Sequence, residues 1–178
     1  HFAAAEQSGA LVDVEVHDFG GPRPSPLVAA TYEPWEALAS GRPQAAALQT
    51  VSVDLAMAGG VEGVDVVHSH TWYANLGGHL AGLMYDVPHV ATAHSLEPLR
   101  PWKEEQLGAG YRMSSWCERT ALEAADAVIA VSGGMRDDIL ACYPDVDPAR
   151  VHVIYNGIDT DEYRPDPGHE HLVELGID

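Results

Sequence analysis

The run Val64-Asp65-Val66-Val67-His68-Ser69-His70-Thr71-Trp72-Tyr73 constrains this chain more than any other stretch. Val64 to Val67 read as a short buried strand, a polar His-Ser-His-Thr edge follows at once, and 74–85, rich in Gly, Leu and Ala, reads as a helix. Strand, polar edge and helix in that order are how an open α/β sheet presents chemistry, because its ligands sit beyond the carboxyl ends of the strands. Residues two apart on a strand point the same way, so His68 and His70 share a face, with His70 nearer the rim.

The same alternation continues on both sides. His1 to Gln7 looks like the tail of a helix, and 11–16 alternates as a strand with one wetter face. The prolines and glycines of 20–26 make a loop, and Pro34 keeps 32–35 irregular. The spacing predicts a helix over 44–58, closed by Gly59-Gly60. Gly77, Gly78 and Gly82 cost the 74–85 helix about 1 kcal/mol each against Ala, a cost consistent with close approach to the sheet or to a ligand. A strand over 88–93 ends in His94-Ser95, and the 99–103 loop feeds one long helix through Ala125. Along it Arg112, Trp116, Arg119 and Glu123 share a face. A buried strand, 126–131, precedes Ser132, which fits a helix N-cap better than a phosphate site. The last strand, 151–155, ends at Asn156-Gly157, where a positive-φ turn and a hinge are expected. Strands alternating with helices imply an α/β chain: a Rossmann-like open parallel sheet with helices on both faces.

A net charge of −18 argues against nucleic acid or an anionic membrane as partner, and no stretch approaches the ~20 apolar residues of a membrane span. Two cysteines point to a reduced, cytoplasmic setting. Against that acidic background Arg100, Lys103, Arg112 and Arg119 are four of only nine cations, and Lys103 is the single lysine. Such a group suits a small anionic ligand, Arg by bidentate geometry. The bland reading is a solvated face on which Glu97, Glu104, Glu105 and Glu118 neutralise the cations and Arg119 pairs with Glu123.

Four stretches together resemble the amino-terminal domain of a family-four retaining glycosyltransferase of GT-B architecture. His68-Ser69-His70-Thr71-Trp72 is similar to its His-x-His/Asp-x-Trp strand end, and Thr92-Ala93-His94-Ser95 to its Thr-x-His-Asn strand end. Ala125 to Ser132 resembles the Ala-Asp-x-Val-Ile-x-Val-Ser signature, and 154–165 the Asn-Gly-Ile/Val-Asp linker between domains. Val67 to Tyr73 and Ala93 to Lys103 look most like the actinobacterial glycogen synthase and maltose-1-phosphate synthase branch. The resemblance implies residues 1–156 as the acceptor-side domain and 157–178 as linker and start of a nucleotide-sugar domain. The family's first strand, with its Gly-rich loop, would precede His1, and the chain alone is expected to be inactive. An uncovered sheet edge is then expected, met by homo-oligomerisation or by a segment outside these residues.

The resemblance further implies transfer of glucose from ADP- or UDP-glucose to glucose 1-phosphate or an α-glucan end, with no cofactor and no metal. His70 is then the histidine against the donor glucose, and an imidazole there can hydrogen-bond a sugar hydroxyl without a metal. His68, one step deeper, reads as core or supporting. Trp72, His94 and Ser95 are expected at the substrate wall, with Trp72 equally suited to capping a helix start. Lys103 and Arg112 are the expected contacts of an acceptor phosphate. Two other classes compete: a non-catalytic sugar-phosphate-binding domain, and a metal-dependent hydrolase using His68, His70 and His94 as ligands.

Overall fold

The computed structural model describes residues 13–19, 28–39, 41–42, 45–161 and 163. The expected helix tail at 1–7, the loop at 20–26 and most of the 157–178 linker lie outside them. A four-stranded parallel sheet is ordered β3-β4-β5-β6, from Val67–His70, His89–Ala93, Ala127–Ala130 and Val151–Val153. A separate parallel pair, β1 (Val16–Phe19) and β2 (Val28–Tyr32), stands beside it. The helices are α1 (Ala45–Gly60), α2 (Trp72–Tyr85), α3 (Trp102–Leu107), α4 (Gly110–Ala124) and α5 (Gly133–Cys142), set on both sides of the sheet. This is the parallel α/β architecture expected.

Local boundaries differ in ways that matter. The first strand begins at Val16, because Asp13, Val14 and Glu15 are exposed, and its partner β2 had no counterpart among the expected elements. The central strand is Val67–His70, not 64–68. Its ladder with β4 starts only where Val67 N–H donates to Pro88 O at 2.9 Å, so Val66 has no neighbour and stays 51% exposed. The histidines therefore belong to the strand itself. The long helix expected through Ala125 is broken at Gly108, whose φ of 51° ends α3 before α4 begins. Gly59 and Gly60 continue α1 instead of closing it, and a Cβ at Gly60 would run into the Tyr32 ring.

At the far end, Ile154 N–H still donates to Ala130 O at 3.0 Å, so the chain leaves the sheet extended. Neither Asn156 nor Gly157 takes a positive φ, and the expected turn there is absent. The hinge drawn from that turn loses its geometric basis. Ser132 does cap α5, its Oγ accepting from Met135 N–H at 3.0 Å. Asp126 is structural: its Oδ2 accepts from His89 N–H at 2.8 Å and its own N–H donates to His89 O at 2.9 Å. The main core lies between the sheet, α4 and α5, around Leu96, Leu122, Val128, Ile139 and Tyr143. A second cluster joins Trp72 and Leu76 to Cys117, with Val51, Leu80 and Met113 packed against it. Both cysteines are free thiols.

Two glycines explain how α2 lies so close. A Cβ at Gly78 would stand 2.9 Å from Ser69 Cβ and 2.5 Å from His89 Nε2, and one at Gly77 would stand 3.1 Å from the Asp54 carbonyl. Their cost in helix propensity is thus returned as approach to β3, β4 and α1.

Candidate active site at the carboxyl edge of the sheet

The adjacent ends of β3 and β4 bring three imidazoles into a row. The ring centroids of His68 and His70 are 4.5 Å apart, and those of His70 and His94 are 5.4 Å apart. His70 Nδ1 and His94 Nε2 share a hydrogen bond of 3.1 Å, while His68 Nε2 pairs with Thr92 Oγ1 at 2.7 Å. Desolvation, then the neighbouring His68 and His94, pushes the His70 imidazole down to about 4. At neutral pH His70 is therefore uncharged, with one nitrogen engaged by His94. Its Nε2 has no protein partner among the described residues.

Behind this rim lies a buried polar chain. Ser69 Oγ donates to Asn75 Oδ1 at 2.9 Å, so the proton in its 2.7 Å bond with His89 comes from His89 Nε2. Burial, with His79 adding to it, drives His89 down to about 4, consistent with a neutral ring donating from Nε2. This chain fixes β3 against α2 and so fixes the rim above it.

The turn into α2 is strained. Thr71 has φ 64° and ψ 163°, a region that suits glycine, yet its N–H donates to Thr92 O at 3.1 Å and its carbonyl accepts from Ala74 and Asn75. Trp72, the first residue of α2, is 6% exposed and packs on Leu76 and Cys117, so it seats the helix in the core and leaves the rim. The aromatic that does face the rim is Tyr73, at 41% exposure. It carried no site expectation, although its place two residues beyond Thr71 was the available signal.

Lys103 is the cation the structure brings to this edge. Its Nζ lies 5.9 Å from the ring centroids of both Trp72 and Tyr73. It also donates to Glu97 Oε1 at 2.6 Å, with the Lys103 side chain 14% exposed and the Glu97 side chain fully buried. Glu97 and Glu118 are therefore not on a solvated face as expected, whereas Glu104 and Glu105 are. Burial, opposed by hydrogen bonds from Tyr143 and the Glu97 backbone, raises the Glu118 carboxyl to about 7.

Two of the expected cations, Arg112 and Arg119, do not join Lys103. Arg112 sits two residues from the inward-facing Ser114 on α4, hence roughly on the opposite side of the helix, and is exposed. Among the described residues no hydrogen bond or ion pair links it to Lys103 or the histidines. Arg119 takes the bland reading, an exposed pair with Glu123 at 3.9 Å. Ser95 is half-buried beside His94 at the end of β4.

Among the described residues no group of three His, Cys, Asp or Glu is arranged to hold a metal ion. That geometry counts against the hydrolase reading. Likewise no described helix is long and apolar enough to cross a membrane.

With this geometry in place, comparison with known proteins is decisive on one point. The model of glycosyltransferase family 4 matches residues 4–162. The chain belongs to glycosyltransferase family 4. An alpha-maltose-1-phosphate synthase from Mycolicibacterium smegmatis is 60% identical over 171 residues, covering 94% of this chain and 43% of the relative. The protein of the same name from Mycobacterium tuberculosis is 56% identical over the same shares. A D-inositol 3-phosphate glycosyltransferase from Gordonia bronchialis is 33% identical over 118 residues, covering 64% of this chain and 25% of that protein. The chain thus spans less than half the length of the curated relatives it matches. Among solved structures, a sucrose-phosphate synthase from Thermosynechococcus elongatus superposes with a TM-score of 0.52 at 20% identity, over 92% of this chain and 41% of that one. That likeness speaks for the fold, an open sheet of the GT-B kind.

Proposed function

We propose that the full-length protein carrying this chain is a retaining glucosyltransferase of α-glucan synthesis. It takes glucose from ADP- or UDP-glucose and passes it to glucose 1-phosphate, forming maltose 1-phosphate. The observation that carries this reading is the 60% and 56% identity, over nearly the whole chain, to proteins named alpha-maltose-1-phosphate synthase.

The geometry supports it in two places. A neutral His70 with a free Nε2 at the sheet edge can hold a hydroxyl of the donor glucose. Lys103, with two ammonium protons beyond the one given to Glu97, suits the acceptor phosphate. In this reading His94, bonded to His70, and Ser95 beside it belong to the substrate wall, whereas Trp72 packs in the core on Leu76 and Cys117. In a transfer that retains configuration without a covalent intermediate, leaving oxygen and incoming hydroxyl share a face. The work is then positioning and stabilising charge. This domain supplies the acceptor platform, and the leaving nucleotide belongs to a second domain following residue 156.

The test is transfer by the full-length protein with glucose 1-phosphate or glycogen as acceptor, for wild type and Lys103→Ala. Maltose 1-phosphate production that falls sharply in the variant supports the reading. Elongation of glycogen alone, unchanged by the substitution, overturns the acceptor assignment.

A further inference from the structure

Every polar atom of Glu97 is spoken for. Its N–H donates to Glu118 Oε1 at 2.7 Å, and its carbonyl accepts from the Tyr111 hydroxyl at 2.8 Å. Its Oε1 accepts from Lys103 Nζ at 2.6 Å and its Oε2 from Ser114 Oγ at 2.7 Å. Glu118, in turn, is held by the hydroxyl of buried Tyr143. Three of these partners, Tyr111, Ser114 and Glu118, lie on α4, whereas Lys103 lies on the short α3.

A buried ion pair is weak evidence for stability, because desolvating two charges offsets most of their attraction, and apolar residues of like volume do as well. What such a pair supplies is placement. A lysine has four freely turning bonds and loses much of that rotamer freedom when fixed. Here that loss is met before any ligand arrives. The Glu97 carboxylate is fully buried, while Lys103 keeps the more accessible position, its ammonium over the Trp72 and Tyr73 rings. An anion approaching from the rim meets the ammonium first, and its attraction exceeds repulsion from the more distant carboxylate.

We propose that Glu97 is a positioning residue for the phosphorylated acceptor: anchored on α4, it holds the Lys103 ammonium aimed at the rim. The proposal rests on the reading of Lys103 as the acceptor-phosphate contact. Without that anchor the flexible lysine side chain turns out to solvent, and the phosphate contact is lost.

The experiment is a double-mutant cycle in the full-length protein, with Glu97→Gln, Lys103→Met and the pair, reading KM for glucose 1-phosphate, KM for the nucleotide sugar, and kcat. Each single substitution is expected to raise the acceptor KM about tenfold, close to 1.4 kcal/mol, with the donor KM unchanged. The pair is expected to do no worse than Lys103→Met alone, because Glu97 acts through Lys103. An acceptor KM that rises with Lys103→Met but not with Glu97→Gln, or effects that multiply, overturns the positioning role and leaves the site reading intact. An acceptor KM untouched by Lys103→Met overturns the site reading itself. Ser114→Ala leaves the ion pair in place and guards against misfolding of Glu97→Gln. It is expected to raise the acceptor KM in the same direction, about threefold, and a donor-side effect instead would count against the proposal.

Discussion

His70 on β3 and His94 at the end of β4 are joined ring to ring, Nδ1 to Nε2, at 3.1 Å. Only one of these nitrogens carries the shared proton, so His94 decides whether His70 faces the site as a donor or an acceptor. Both roles need an uncharged ring. We therefore expect the His70 imidazole, followed by NMR, to stay neutral down to about pH 4. His94→Ala should raise that value, because it removes one of the groups that disfavour the cation. A free-histidine titration near 6.5 in the wild type would dissolve the pair as described.

Asp54, on α1, is a second place where pH enters. It is fully buried; its Oδ1 accepts from Gly77 N–H at 3.1 Å, and its Oδ2 has no partner. Desolvation raises its carboxyl to about 8, opposed by the Gly77 hydrogen bond. Below the ordinary carboxylate range both folded and unfolded chains hold this proton. As pH rises toward 8 only the folded chain holds it, so stability falls across that interval and then levels. Asp54→Asn keeps an acceptor for Gly77 and removes the slope. It should stabilise by on the order of 2 kcal/mol at pH 9 and by little near pH 4, read from thermal unfolding at both pH values. Equal effects at the two would show that Asp54 is ionised in the fold.

Gly78→Ala should destabilise despite alanine's better helix propensity. The added Cβ would meet His89 Nε2 at 2.5 Å and Ser69 Cβ at 2.9 Å, breaking the Asn75–Ser69–His89 chain. Overpacking of this sort costs about 1–3 kcal/mol against a propensity gain of ~1. A urea midpoint at or above wild type would show that α2 can draw back from the sheet.

Tyr143→Phe tests the floor beneath Glu97. The Tyr143 hydroxyl is buried against Glu118 Oε1, and losing it leaves that oxygen with the Glu97 N–H alone. A loss of about 1–3 kcal/mol is expected. Because Glu118 is already raised to about 7, the variant should move it higher still. Stability would then fall more steeply above neutral pH, and a pH-independent loss would argue against that coupling.

Thr71→Gly should do the reverse and stabilise. Its φ of 64° with ψ 163° costs a β-branched residue about 1–3 kcal/mol, more than the ~0.5–1 kcal/mol of chain entropy that glycine adds to the unfolded state. A lower melting temperature would mean that the threonine side chain is held by contacts stronger than this strain.

From α1 onward the alternation of strands and helices was legible because apolar runs and their punctuation repeat along the chain, whereas β2 and the break at Gly108 were not. The family was legible because four motifs fall in register with it. Positions inside the site were less so. The pattern Val-Asp-Val-Val looked like the strand, but a strand extends only as far as its neighbour, and β4 begins after Pro88. Trp72 and Tyr73 are adjacent and chemically alike, and helix phase alone sends one to the core and the other to the rim. Glu97 looked like surface charge because nothing local reveals that α4 will close over it. The cations near it in sequence scattered for the same reason, since a helix turns Arg112 and Ser114 to different sides.

In a parallel ladder alternate residues bond to opposite neighbours. Val67 and Thr71 donate to β4, so Ser69 does too, and the N–H groups of His68 and His70 point the other way, off the outer side of β3. The strand that carries the rim imidazoles is thus a residue-by-residue gauge of its own surroundings. Slow amide exchange at Ser69 with fast exchange at His68 and His70 would report a bare margin, and slow exchange at all of them a strand laid alongside.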